Sequence, residues 1–579
     1  MYYSYKVKIP KEKGKISKTI IKGVEYINYE YDRVYKPDKK YNIPKRTTIG
    51  KVCEGEKNMM YPNPNFIKYF PNIEVESEQK NFSSCIKVGN YIVIKKLIEE
   101  SKVEEILKPI IGKDIGLFLD LCAYTIIMEN NAAQYYPDYA YNHYLFADKM
   151  KIYSDTTVSR FLQELNKEQS IEFLNIWNKI KSKEERIYVS YDSTNKNSNA
   201  GEIELLEYGH AKVDVGKVIY NYSIAYDCNN NEPLFYEEYP GSIVDVAQLQ
   251  WAIEKAKNYG YENIGFILDR GYFSRENIKY MDKCGYDFVI MMRGAKALVA
   301  ETIKEKKGTF EELRENSIRE YKVSGITIKR QLYASDDKKR YFHIYYNGQK
   351  AISEREILES KIDKMSEILK RSEGKKIEFD EIYHKYFDLI YHKDGTFMAS
   401  NEKKKIINEE ISLCGYFVII SSEEMSAKEA IKLYKGRDVT EKLFRGDKSY
   451  LGNKSMRVYT NEVLCSKMFI EFIALIIRNK MYRKLLENRN VLEQKNNYMT
   501  VPASIRELDK IEMICVAGET YKLDHAITST QKQILKAYDI DMNYIKKATE
   551  EITNKLRYDK LEQKGEIWVV KTWEVDIYR

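Results

Sequence analysis

The sequence predicts an α/β fold, and three observations carry that prediction. A β-rich run, Ile187 to Tyr191, is followed by two further strand-like segments, Val218 to Tyr226 and Leu234 to Tyr239, joined by the turn Asp227-Cys228-Asn229-Asn230. Val246, Leu249, Ile253 and Ala256 then recur at helical spacing, with Asp245 placed as an N-cap and Gly260 placed to end the element. After that, strand and helix alternate: Ile264 to Leu268, a helix from about Arg275 to Lys283, and the apolar strand Phe288 to Met292.

Three antiparallel strands followed by alternating helix and strand fit a ribonuclease-H-like core. The first strand ends in Asp192 and the fourth in Asp269. In such a core those two strands are neighbours, so the two carboxylates are expected to converge. An aspartate that closes a strand is also a common turn former or helix cap, and Asp269-Arg270-Gly271 by itself reads either way.

The rhythm stops near Gly294 and resumes with a strand at Tyr416 to Ser421 and a long helix. The sequence therefore divides into a basic β-rich region of short strands (1–90), a helical region (91–185), the first part of the core (186–294), a mainly β insertion (295–413), the second part of the core (414–490) and a C-terminal accessory region (491–579) that closes on a β-like segment, Ile567 to Ile577. A chain of 579 residues and 68.4 kDa suits three to five such units.

The 95 Lys and Arg against 87 Asp and Glu make the whole chain only mildly basic. Local charge says more. From Lys6 to Arg46 there are thirteen Lys or Arg and five Asp or Glu, which suits DNA phosphates or simply a solvated basic face. Asp155-Thr156-Thr157-Val158-Ser159-Arg160 marks a helix start, either of a helix-turn-helix reader or of a helical packing domain.

The eight cysteines are scattered, which favours a reducing compartment. No secretory signal opens the chain, and the apolar stretch Val463 to Ile477 carries Lys467 and Glu471 and is shorter than a bilayer requires. A cytoplasmic protein without a membrane partner is expected. The six histidines are assigned no catalytic role.

The long helix follows the strand Tyr416 to Ser421. Ser426 and Glu429 form a capping-box pattern at its start. Tyr434, Arg437, Glu441 and Lys448 sit at offsets of zero, three, seven and fourteen; at roughly 100° per residue they fall within an arc of about 60°. A carboxylate flanked by arginine, lysine and a phenol suits a phosphodiester site, while a solvated helix with i,i+4 charge pairs would look the same. Gly446 favours a bend before Lys448. Asp192, Asp269 and Glu441 together would form an oxygen-only donor set, suited to two divalent ions, magnesium or manganese.

Tyr434-x2-Arg437-x3-Glu441-x6-Lys448 resembles the Y-x2-R-x3-E-x6-K signature of bacterial insertion-sequence DDE transposases of the IS-four group. Asp269-Arg270-Gly271-Tyr272 is similar to that group's second-aspartate motif, and Tyr191-Asp192-Ser193-Thr194-Asn195 to its first. The resemblance covers roughly residues 187 to 450. It implies a ribonuclease-H-like catalytic domain interrupted by a mainly β insertion, and a DNA transposase that binds terminal inverted repeats, forms a homodimer on paired ends, and cleaves and transfers strands of double-stranded DNA with two divalent metal ions. Carried over by position, Asp192, Asp269 and Glu441 would be catalytic metal ligands. Tyr434, Arg437 and Lys448 would contact DNA, with Arg270 and Tyr272 as further substrate-positioning candidates.

Some relatives stack a flipped base on a tryptophan of the insertion, but Trp177, Trp251, Trp568 and Trp573 all lie outside it. Lys442 to Glu487 carries ten Lys or Arg and four Asp or Glu, with Phe469, Phe472 and Leu475 expected to pack inward. A ribonuclease-H-like nuclease that does not join strands, and a DNA-binding descendant that no longer cuts, remain alternatives at this point.

Overall fold

The computed structural model describes residues 2–3, 6–21, 23–37, 40–53, 55–71, 83–181, 186–198, 203–209, 216–292, 296–439, 441–444, 451, 455–492, 499–516, 520–556, 562–564 and 567–569. It forms two compact units: Met1–Ser84 with Cys515–Thr520, and Cys85–Ile514 with Tyr521–Arg579.

In the first unit, strands β1 (Val7–Lys8), β2 (Ile16–Ile21), β3 (Val24–Lys36), β4 (Tyr41–Cys53) and β5 (Glu56–Pro62) form an antiparallel sheet in the order β1-β5-β4-β3-β2, followed by helix α1 (Pro64–Tyr69). Val7, Ile27, Ile49, Met60 and Phe66 make its small core. The short strands expected here are replaced in part by two strands of 13 residues each, β3 and β4. Cross-strand pairing carries the polar stretches that lack strand signals of their own.

The second unit opens with helices α2 (Gly89–Ser101), α3 (Val103–Ile111), α4 (Ile115–Met128), α5 (Tyr136–Asn142), α6 (Asp155–Glu164) and α7 (Lys167–Lys179). The side chain of Ser154 caps α6 by accepting from the Thr157 N–H, so the helix starts where its sequence signal lies. Then come β6 (Ile187–Asn197), β7 (Ile219–Asp227), β8 (Glu232–Pro240), α8 (Asp245–Asn258), β9 (Ile264–Leu268), α9 (Arg275–Cys284) and β10 (Asp287–Met291). Asp245 is the first residue of α8, and Val244 takes the N-cap position.

The segment that follows holds α10 (Lys296–Lys306), β11 (Ser317–Ile318), β12 (Val323–Gln331), β13 (Lys339–Tyr346), α11 (Gly348–Arg371), α12 (Glu381–Tyr386), β14 (Phe387–Tyr391), β15 (Phe397–Glu402) and α13 (Lys404–Leu413). Last come β16 (Tyr416–Ser421), α14 (Ala427–Gly436), α15 (Asn461–Leu492), α16 (Val501–Leu508), α17 (Ser529–Ala537) and α18 (Met542–Leu556). The expected tail strand, Ile567 to Ile577, lies largely outside the described residues, which show only Ile567–Val569 paired with Glu562–Lys564.

Among the described residues nine strands form one sheet in the order β11-β12-β13-β16-β10-β9-β6-β7-β8. β6, β7 and β8 are an antiparallel meander, and β9 returns parallel to β6 in the register Ile264↔Ile187 to Leu268↔Tyr191. The first and fourth strands of the core are thus neighbours.

Two sequence expectations need correction. Residues 295–413 are not a mainly β insertion, since α10 to α13 hold more residues than their strands, and β11 to β13 extend the central sheet through β13–β16 pairing. The remaining part of the segment has its own apolar cluster, including Ile362, Leu369, Phe387 and Phe397. Charged, Tyr-rich sequence hid α11 because only Ile362, Met365 and Leu369 of its 24 residues are buried, too sparse a stripe to announce a helix. Second, β6 does not end at Asp192. It continues through the polar run Ser193 to Asn197, where the ladder to β7 pairs each residue in turn.

The long helix α15 is the hub of the helical layer. Leu464, Met468, Phe469, Phe472, Ile473, Leu475 and Ile476 are buried around its circumference, as expected for a helix covered on all sides. It packs against α2, α4, α6, α7 and β8, so the helices of 91–185 share one core with the sheet. Lys467 and Arg478 are also buried, so these two cations of the basic stretch are not displayed to solvent. No described helix is long and apolar enough to cross a membrane.

Candidate active site

The strand register brings Asp192 and Asp269 together. Leu268 pairs with Tyr191, which places the next residue of each strand at the same level of the sheet. Asp192 sits on β6 and its carboxylate accepts from the Ser193 N–H at 2.9 Å. Asp269 is the first residue beyond β9 and precedes a short 3₁₀ turn, Arg270–Tyr272.

Glu441 reaches the pair from α14 and the helical residues after it. The capping box at Ser426 is fully made, with the Glu429 N–H donating to Ser426 Oγ and the Ser426 N–H to Glu429 Oε2. The single long helix expected here is interrupted at Arg437. Its N–H donates to Tyr434 O at 3.3 Å, a three-residue step, and the Glu441 N–H then donates to Arg437 O at 3.3 Å. Gly436 just before the break lowers its cost. Tyr434, Arg437 and Glu441 nevertheless face the same site.

Arg437 is the centre of the arrangement. Its guanidinium lies 2.7 Å from Glu441 Oε1, 3.6 Å from Asp192 Oδ2 and 3.9 Å from Asp269 Oδ1. The Arg437 side chain is 11% exposed, whereas that of Glu441 is 50% exposed and open to solvent. Burial alone would depress the arginine, but Asp269, Tyr434, Asp192 and Glu441 around it hold its pKa above the usual value. Its Nε is buried without a hydrogen-bond partner. Tyr434 donates from its hydroxyl to Asp269 Oδ1 at 3.2 Å, and burial, with that carboxylate, raises the phenol pKa.

The other expected site residues divide. Arg270 is exposed, and its charge opposes a small part of the rise in the Tyr434 pKa. Tyr272 is not displayed to a substrate. It is 1% exposed, with its ring edge-on to Tyr191 at 5.5 Å. Lys448 and Gly446 lie outside the described residues. The sequence signature marked Tyr434 and Arg437 as DNA contacts but did not show that both bind the acids. Their shared helical face with Glu441 was the available signal.

Among the described residues no three His, Cys, Asp or Glu side chains are arranged to hold a metal ion as they stand. The donor chemistry still fits a hard divalent cation: carboxylates from three distant points of the chain meet one cation, the guanidinium, and all offer oxygen.

Residues 192–477 match the family model described as transposase DDE domain, a span that begins on Asp192 and includes Asp269 and Glu441. The catalytic domain is therefore of the DDE class. Residues 192–477 carry a transposase DDE domain, and the function it supports is that of a DNA transposase. No curated protein matches it. Among solved structures it is similar to a cryo-EM structure of the piggyBac transposase synaptic complex with hairpin DNA, at 8% identity and a TM-score of 0.37, covering 83% of this chain and 85% of that one. It is also similar to the Mos1 transposase paired-end complex with left transposon end, at 14% identity and a TM-score of 0.13, covering 28% of this chain and 54% of that one. At these scores neither likeness carries weight for the fold or the chemistry.

Proposed function

We propose that Asp192, Asp269 and Glu441 are the catalytic acids of a transposase that binds the terminal inverted repeats of an insertion sequence, cleaves at its ends and joins them to target DNA. The reading rests on one observation: a single guanidinium, that of Arg437, meets a carboxylate from each of these three residues. The β6-β7-β8 meander with parallel β9 beside β6 supports a ribonuclease-H-like core. The spacing of Tyr434, Arg437 and Glu441 supports placement in the IS-four group.

The three acids would hold two magnesium or manganese ions, which supply activation of an attacking water or 3′-hydroxyl and stabilisation of the leaving oxygen. Tyr434 holds Asp269 in place through its hydroxyl. Arg437 neutralises the acids and, freed from them, offers a planar pair of donors to a phosphate. A homodimer on paired ends, working in the bacterial cytoplasm, completes the proposal.

The test is a magnesium-dependent assay with pre-cut ends of the element that encodes the chain. Joining that needs the 3′-hydroxyl is expected from the wild type. Asp192→Asn, Asp269→Asn and Glu441→Gln should each abolish cleavage and joining while end binding persists. Hydrolysis without joining would indicate a nuclease, and binding without cleavage a descendant that no longer cuts. Loss of binding and cutting together would assign the acids to the fold instead.

A further inference from the structure

The hairpin of β3 and β4 outruns the sheet that carries it. β2 pairs with β3 only as far as Tyr29, and β5 pairs with β4 only from Gly50 onward, so residues 30–36 and 41–46 pair with each other alone. The base of this two-stranded arm is secured. Glu30, buried, takes both Arg33 and Arg46, and Tyr31 stacks on Tyr69 at 5.4 Å.

Beyond that base the arm is open to solvent, with only Ile43 and Pro44 half-buried among its described residues. Every described residue from Tyr31 to Asn42 is exposed, including Tyr35 at 57% and Tyr41 at 56%. A two-stranded ribbon with no buried face has little to hold it in water. From Glu30 to Arg46 the chain carries six Lys or Arg and three Asp or Glu. Exposed apolar rings on a basic ribbon fit a polyanion with stackable or apolar edges better than another protein surface.

Dimensions agree. Paired strands lie about 4.8 Å apart, and a two-stranded ribbon enters a major groove about 12 Å wide. Seven residues of β3, at about 3.3 Å each, span roughly 23 Å, or two-thirds of a helical turn of about 34 Å. We infer that the β3–β4 arm is a DNA-binding element that lies in the major groove of duplex DNA, with Lys36, Lys40 and Lys45 on phosphates and Tyr35 and Tyr41 against base edges or sugars. The inference rests on the transposase reading for its partner, but assigns that partner to a different part of the chain from the three acids.

The experiment uses the full-length protein and a mixed-sequence duplex of about three helical turns. Binding is followed from about 50 to about 200 mM salt. Lys36→Ala/Lys40→Ala/Lys45→Ala should weaken binding about tenfold or more and make the logarithmic salt slope shallower by about 3. Tyr35→Ala/Tyr41→Ala should weaken binding with the slope unchanged. Methylation of guanine N7, in the major groove, should interfere with the wild type and not with the tyrosine variant. Lys364→Ala/Lys370→Ala, on the exposed face of α11, should change neither quantity.

Wild-type binding and cleavage with an unaltered lysine variant would overturn the arm and leave the transposase reading standing. An equal loss in the α11 variant would reduce the effect to bulk charge and overturn it as well. Loss of self-association or of binding to acidic vesicles, with DNA binding intact, would assign the arm to another partner. A wild type that binds no duplex at all would fail both readings at once.

Discussion

Arg437 Nη2 lies 2.7 Å from Glu441 Oε1, one helical turn apart, and in this position the guanidinium also faces Asp192 and Asp269. If the three acids hold a divalent ion as proposed, a cation already placed among them would compete with it for the same oxygens. Removing it and adding metal should therefore act in opposite directions on the fold.

Arg437→Ala is expected to destabilise the metal-free protein by about 2 kcal/mol, less than for a fully buried pair because Glu441 is half exposed. Millimolar magnesium should restore part of the lost thermal stability in the variant and have a smaller effect on the wild type. Melting curves in chelator and in magnesium decide it; an equal response of both proteins would show that Arg437 does not compete with metal.

Tyr434→Phe deletes the hydroxyl that holds Asp269. Its expected cost in stability is about 1 kcal/mol. Cleavage should slow by about tenfold, while the affinity for DNA ends stays at the wild-type value, since the hydroxyl is spent on a carboxylate. A loss confined to end affinity would return Tyr434 to the role of a direct DNA contact.

Lys196 on β6 and Glu471 on α15 form a fully buried ion pair, and the second oxygen of Glu471 has no hydrogen-bond partner. Lys196→Met should cost about 3–5 kcal/mol by leaving Glu471 uncompensated, and Lys196→Met/Glu471→Leu should recover most of it. Chemical denaturation of the two single variants and the double variant measures the coupling; simple additivity would contradict it.

His343 is buried between Thr327 and Ser421, and burial pushes its pKa down to about 4. The unfolded chain takes up this proton near pH 6.5, before the folded one does. The associated stability is therefore complete above about pH 6.5 and lost as pH falls toward 4, by up to about 3 kcal/mol. His343→Gln should flatten that part of the stability profile by one proton. An unchanged slope between those pH values would show that the imidazole is not buried in its neutral form.

Much of the site was legible before any coordinates. The Ser426–Glu429 capping box, the common face of Tyr434, Arg437 and Glu441, and the neighbouring strands leading to Asp192 and Asp269 all follow from short-range spacing and strand order. Less was legible where the neighbour decides. Tyr272 resembled a substrate contact and is packed on Tyr191, and the strand expected to end in Asp192 runs on through Ser193 to Asn197. Helix α11 had too thin an apolar stripe to be recognised.

By itself, the sequence determined the alternation of strand and helix through the core, the helix starts at Ser154 and Ser426, and the common face of Tyr434, Arg437 and Glu441, because each depends on residues a few positions apart. Only the tertiary structure decided that β11 to β13 join the central sheet, that Lys196 meets Glu471 inside the protein, and that Arg437 stands among all three acids. Those outcomes depend on pairing between segments about 70 to 275 residues apart, where burial and charge compensation are set by partners that no local pattern names.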